Sequence, residues 1–252
     1  MEIKRKLKSI YKIKKTTDAM SIISMTKLRK EQVYFEKYKD FIYVLDNLKK
    51  DFDFNKYNFR KKLKDIIIIT SNKGLCGAFN LNLFKFAKDI YDKSENSNVI
   101  IFGDQGFKIS KKYKVNVYKF FNDLSKLDYI IEKLLNDFDK DREIYLVYNK
   151  FFSATNLKPY CEKLLPFDEY NKRQIIYDSN KDDVLFFFVK NYIKEKIYFS
   201  IVESNICENS ARMLFMKSAS DSAKEIISNL KLNYNRERQN KITQQMVEII
   251  NN

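Results

Sequence analysis

The chain has 252 residues, of which 44% are hydrophobic and 32% charged, and a formal net charge of +15; this length and balance describe a folded chain with a real core rather than a disordered one. It contains no histidine, which excludes Ser-His-Asp and Cys-His catalysis and every histidine-based metal site. Its three cysteines, Cys76, Cys161 and Cys207, lie far apart and form no CxxC pair, so neither a disulfide framework nor a zinc site is expected.

All four glycines (Gly74, Gly77, Gly103, Gly106) and both prolines (Pro159, Pro166) fall in the middle of the chain. Gly and Pro punctuate local structure, so the sequence reads as two unbroken arms around a punctuated centre. The first arm, residues 1–60, opens on "MEIKRKLKSIYKIKK". No apolar core follows these basic residues, so it is not a secretory signal, and a cytosolic setting is expected. Its apolar residues recur in steps of three and four: Ile3, Leu7, Ile10, Ile13, Thr17, Met20, Ile23, Leu28, then Phe35, Tyr38, Ile42, Leu45 and Leu48. That spacing and length predict a coiled-coil helix.

Residues 61–180 change pattern. Short β-branched or aromatic runs at 66–70, 99–102, 115–117 and 144–148 predict strands, and 81–91, 107–112 and 127–138 predict helices. Such alternation predicts an α/β domain with a mainly parallel sheet and helices on its faces. A late hairpin strand is predicted at 160–167. The last arm, residues 181–252, begins at Asp182 and Asp183, which mark a helix start. It carries a second helical pattern at Ile206, Met213, Met216, Ala219, Ala223, Ile226, Leu230, Tyr234, Ile242, Met246 and Ile249. An arm of about 45 residues spans on the order of 65–70 Å as a helix, which exceeds the width of a domain. The two arms are therefore expected to wrap each other antiparallel and to project. The longest apolar run, 184–189, is far short of the roughly 20 residues a membrane helix needs.

The segment "TSNKGLCGAFNLNLF" at 70–84 places a glycine loop between a predicted strand and a predicted helix, where many proteins hold phosphate. A Walker loop needs GxxxxGK[ST] and a dinucleotide loop GxGxxG. Here the spacing is GxxG, with no Lys-Ser or Lys-Thr after Gly77, and "FGDQGF" at 102–107 is also only GxxG. The loop is expected to turn the chain and not to bind nucleotide. No catalytic residue, metal site or cofactor is assigned anywhere in the chain.

The same segment resembles the signature of the γ subunit of F-type ATP synthases. So do "IYKIKKTTDAMSIISMTKLRK" in the first arm and "ENSARMLFMKSASDSAKEIISNLKLNYNRERQNKITQQMVEII" in the last. "IYLVYNKF" followed by "LLPF" has that family's order and spacing. The resemblance covers nearly the whole chain. It implies an antiparallel two-helix coiled coil with a Rossmann-like domain between the arms. It also implies a non-catalytic rotor shaft inside a hexamer of α and β subunits, which carry the nucleotides. The foot of such a shaft engages a small ε-type subunit and a membrane ring of c-type subunits, on the cytoplasmic side of the cell membrane.

Carried over residue by residue, the resemblance assigns contact with the α/β hexamer to Met20, Lys27, Arg212, Lys217, Arg238, Gln239, Thr243 and Glu248. It assigns contact with the ring to Tyr177 and Asp178, and a structural motif role to Gly74, Leu75, Cys76, Gly77 and Asn80. Basic residues crowd the first 30 positions, with Lys4, Arg5, Lys6, Lys8, Lys12, Lys14 and Lys15 against Glu2 and Asp18; that suits attraction to an acidic partner without a rigid lock. Gln245 stands where the family usually has glutamate, and the arm ends at Asn251 and Asn252, which implies a short shaft top. Two alternatives stay open: the shaft of a dedicated ATPase motor that only hydrolyses ATP for other mechanical work, and, in another class, a basic coiled coil that binds nucleic acid through its phosphates.

Overall fold

Four consecutive isoleucines, Ile66 to Ile69, have no polar face to offer solvent, so a strand built from them must be covered on both sides. In the computed structural model, which describes residues 2–52, 63–94, 96–122, 142–167 and 181–250, they form the body of the central strand β1 (Leu63–Ile69). The elements that follow are α2 (Phe79–Asp92), β2 (Ser97–Phe102), α3 (Asp104–Tyr113), β3 (Val117–Phe121), β4 (Arg142–Ser153) and β5 (Asn156–Leu165). They are flanked by two long helices, α1 (Glu2–Lys49) and α4 (Lys181–Ile250). The sheet order is β3-β2-β1-β4-β5. The β1–β2, β1–β4 and β2–β3 pairs are parallel, and β5 returns antiparallel to β4.

Alternation along β1 divides the core. Ile67 and Ile69 join Ile100, Phe102, Ile144, Leu146 and Tyr148 on one face, covered by Tyr192, Ile193, Ile197 and Ile201 of α4. Ile66 and Ile68 join Val99, Ile101 and Val147 on the other, covered by Leu83, Phe84 and Ala87 of α2. Each fully buried isoleucine contributes roughly 1.5–3 kcal/mol relative to exposure, so β1 anchors both layers.

Most predicted elements appear at slightly longer bounds. The strand expected at 115–117 instead begins at Val117. Lys114 closes α3 in the left-handed conformation at φ 55°, the Lys114 N–H donates to Lys111 O, and the Val115 N–H donates to Ser110 O at 3.1 Å. This pair of bonds is a Schellman ending, so Val115 belongs to a helix cap and not to the sheet. The late strand expected at 160–167 is β5. The helix predicted at 127–138 lies outside the described residues.

Contacts divide the chain into Met1–Thr26 with Arg212–Asn252, and Lys27–Ala211. The first unit is a pair of helical segments. Its seam on α1 runs Ile3, Leu7, Ile10, Lys14, Thr17, Ser21, Ser24, all buried or half-buried, in alternating steps of four and three. On α4 the same rhythm selects Met213, Met216, Ser220, Ala223, Ile227 and Leu230. The Ser21 hydroxyl donates to Met213 O at 3.2 Å, and the Ser220 hydroxyl donates to Asp18. Ile13, Ile23 and Ile226, expected in the seam, are 48%, 57% and 45% exposed. A 3.5-residue repeat passes one position to the side of each, and small hydroxyl residues fill the contact instead.

In the second unit, α1 contributes Leu28, Phe35 and Ile42, each 5% exposed. Phe35 stacks on Phe199 of α4 at 5.3 Å.

Candidate functional site

The glycine loop between β1 and α2 sits at the carboxyl end of the sheet, where α/β folds usually bind ligands. Its polar groups are turned inward. The Thr70 hydroxyl donates to Phe102 O at 2.8 Å and accepts the Gly106 N–H at 3.0 Å. The Ser71 N–H donates to Asn80 Oδ1, while Asn80 Nδ2 donates to the Ser71 hydroxyl and to Cys76 Sγ. Asn72 receives the Asp104 N–H and donates to Asn122 O. The loop is thereby tied to the following loop by groups that an anion site would need free.

Asn80 and Cys76 take part in this internal bonding. Gly77 has φ 61°, and Leu75 takes φ 64° with its side chain 56% exposed. Cys76 and Asn80 are buried at 5% and 6% exposure. Gly103 carries the tightest constraint: φ is +100°, and a Cβ there would lie 2.2 Å from Thr70 O.

A charged cluster that sequence reasoning missed lies in the second unit. Lys196 of α4, 5% exposed, donates to Asp46 Oδ2 of α1 at 3.0 Å and to Glu162 Oε1 of β5 at 2.6 Å. Tyr192 donates its hydroxyl to Asp46 Oδ1 at 2.7 Å. Burial alone would lower the Lys196 ammonium's pKa; Glu162 and Asp46 more than reverse this, so it lies above its ordinary value. Two turns further along α4, Glu203 accepts the Phe151 N–H at 2.9 Å. Burial pushes the Glu203 carboxyl up to about 6, against the opposing effect of that hydrogen bond and of Lys150. The Cys161 and Cys207 thiols are pushed up by burial, Cys161 to about 11. Nothing in the sequence announces this cluster, because Asp46, Glu162 and Lys196 come from three separate elements and meet only through packing.

The residues expected to touch the hexamer are distributed along the first unit and the edge of the second. Lys27, Lys217, Arg238, Gln239, Thr243 and Glu248 are exposed, and Met20 is half-buried. Arg212 is only 8% exposed, so most of its side chain is packed inside the chain. Thr243 spends its hydroxyl on Gln239 O at 3.0 Å, a bond within its own helix. Tyr177 and Asp178 lie outside the described residues. Every residue of α4 from 231 to 250 is exposed, including Ile242, Met246, Val247, Ile249 and Ile250. Among the described residues no group of three Cys, Asp or Glu side chains is placed to hold a metal ion. Among the described residues no helix is long and apolar enough to cross a membrane.

The ATP synthase family model matches residues 1–252. The ATP synthase gamma chain of Clostridium perfringens is 32% identical over 272 residues, covering 99% of this chain and 95% of that one. The gamma chain of Polynucleobacter asymbioticus is 30% identical over 279 residues, covering 99% and 96%. Among solved structures, the rotor of the Euglena gracilis mitochondrial ATP synthase superposes with a TM-score of 0.73 at 16% identity, over 95% of this chain and 97% of that one. The central stalk and c-ring structure of the Tetrahymena thermophila enzyme gives 0.64 at 21% identity, over 81% and 99%.

Proposed function

Because this chain belongs to the ATP synthase gamma chain family, we propose that it works as the central rotor shaft of a rotary F-type ATP synthase, without a catalytic site of its own. The chemistry takes place in the α and β subunits of the catalytic head. This chain couples their nucleotide states to rotation of a proton-driven membrane ring of c-type subunits, with an ε-type subunit at its side. It sits as a peripheral subunit on the cytoplasmic side of the cell membrane.

The observation that carries this reading is the outer end of α4. Residues 231–250 are helical yet wholly exposed, which at 1.5 Å per residue makes a rod about 30 Å long. Its Ile242, Met246, Val247, Ile249 and Ile250 are apolar. An isolated amphipathic rod of this kind buries its apolar side only in a partner, and a bearing formed by the hexamer supplies one. Lys217, Arg238 and Lys241 carry the basic belt along α4, and individually weak ion pairs suit a surface that slides.

Coupling then follows from differential binding. One asymmetric shaft presents different faces to three catalytic pairs. A face that binds one conformer better raises that conformer's population, and torque from the ring changes nucleotide affinity by the same coupling.

The test is co-expression with the α and β subunits of the same organism, followed by purification and ATPase assay. One copy of this chain per hexamer, and an ATPase rate that depends on it, are the expected results. A version lacking residues 237–252 should still assemble, because the seam ends at Leu230, but should hydrolyse ATP with weakened coupling to proton movement in vesicles. Failure to assemble, together with retention of nucleic acid through moderate salt, would replace the shaft with the nucleic-acid reading.

A further inference from the structure

Inside the second unit, α1, the β4–β5 hairpin and α4 enclose a cavity of about 820 Å³, within the size range of small-molecule sites. Its walls are aromatic: Phe35, Tyr148, Tyr160 and Phe199 all line it. Two polar atoms in it lack partners although their residues are almost wholly buried. Glu203 is 2% exposed and uses Oε1 on the Phe151 N–H, while its Oε2 has no hydrogen-bond or ion-pair partner among the described residues. Tyr148 is 3% exposed, and its hydroxyl likewise has none. Neither atom is sealed from solvent, so both open onto the cavity, and a free carboxylate oxygen and a free phenol lining one cavity offer a place where a ligand's donor can replace water.

Charge selects the donor. Lys196 is already bound to Asp46 and Glu162. The remaining lining acids are Glu203 inside and the exposed Glu36 and Asp40, one helical turn apart on α1; the remaining lining bases are Lys39 and Lys150. Lys150 rests over the Tyr160 ring at 4.4 Å. In a chain of net charge +15, the cavity has an acidic excess. An anion is therefore excluded, and an aromatic wall with one free carboxylate oxygen is a poor cage for a hydrated metal ion. Aromatic faces do attract organic cations.

We propose that this cavity binds a small aliphatic polyamine. One ammonium donates to Glu203 Oε2 and the Tyr148 hydroxyl against the aromatic wall, and a second meets Glu36 and Asp40 at the mouth. The test uses the full-length chain alone, so its failure leaves the rotor reading untouched.

The experiment is calorimetric titration of the full-length chain with spermidine at pH 7.5, with magnesium chloride as the competing inorganic cation. One saturable site per chain is expected, with a Kd at or below roughly 1 mM, unaffected by equimolar magnesium. Glu203→Gln keeps the acceptor for the Phe151 N–H and should weaken spermidine at least about tenfold, the ratio for loss of one charged contact of roughly 1.4 kcal/mol. Tyr148→Phe should weaken it by a smaller factor. Lowering the pH to 5 should also weaken binding, because Glu203, which faces Lys39, Lys150 and Glu162, takes up a proton below about 6. Absence of a saturable heat up to roughly 10 mM spermidine, displacement by equimolar magnesium, or unchanged binding in a folded Glu203→Gln chain would each overturn the proposal.

Discussion

Replacing Lys196 with methionine tests the buried junction of α1, β5 and α4. Methionine reproduces most of the lysine stem, so packing is nearly kept and the lost quantity is charge. The side chains of Lys196, Asp46 and Glu162 are 6%, 35% and 23% exposed, with Lys196 at 3.0 and 2.6 Å from the two carboxylates. Breaking a buried ion pair by removing one partner costs about 3–5 kcal/mol. Partial wetting of both acids, and the hydroxyl that Tyr192 still gives Asp46 at 2.7 Å, reduce this to about 2–3 kcal/mol. For a chain of this size that is a fall of roughly 5–10 °C in Tm. Urea unfolding followed by far-UV circular dichroism and tyrosine emission measures it. The triple variant K196M/D46N/E162Q removes the stranded charges and should recover most of the loss. A single variant within about 0.5 kcal/mol of the parent, or a triple variant no better than the single, would refute the reasoning. The pH dependence has a definite sign. Lys196 is raised above its ordinary 10.5 on folding, so its stabilisation is complete at neutral pH and is lost only as pH climbs past 10.5 and through the folded value.

Two further outcomes follow from single atoms. Gly103→Ala places a Cβ 2.2 Å from Thr70 O at φ +100°; the backbone must shift at the β1–β2 junction, and a loss of roughly 3 kcal/mol in urea, or no soluble protein, is expected. Glu203 has a folded pKa of about 6 against 4.5 unfolded; the folded chain holds the proton more tightly between those values, so stability falls as pH rises through that window. Glu203→Gln should abolish that fall and be more stable by about 2 kcal/mol at pH 7, measured as the difference between urea midpoints at pH 4.5 and pH 7.

Most of the sheet was legible because its strands speak locally, the strand at Val117–Phe121 being the one whose start the sequence misplaced. Ile66 to Ile69 cannot be anything but doubly covered, and the glycines after β1 and β2 mark the turns that the chain takes. The helical arms were legible in kind but not in detail. Apolar residues at steps of three and four occur on both the seam and its flank, and Ile13 and Ile23 match the pattern as well as Ile10 does. What separates them is the partner surface: Ser21 and Ser24 sit in the seam because their side chains are small enough to let α4 bring Met213 within hydrogen-bonding range, and no count of hydrophobicity ranks a serine above an isoleucine. Arg212 follows the same logic. Its place in a family motif says that the position matters, and burial at 8% exposure says that it matters to packing inside the chain.

The glycine loop is the clearest case of a sequence question that only geometry answers. Spacing argued against a phosphate site because residues were missing. The fold gives a positive reason: Ser71, Asn72, Asn80 and Thr70 spend their donors and acceptors on each other and on the β2–α3 turn. A nucleotide would have to break several buried hydrogen bonds, each of which costs roughly 1–3 kcal/mol to leave unsatisfied, before gaining any of its own. The loop that looks most like an active site thus has these polar side chains already engaged. Glu203 and Tyr148, by contrast, open onto a cavity, and the sequence offers no motif there at all.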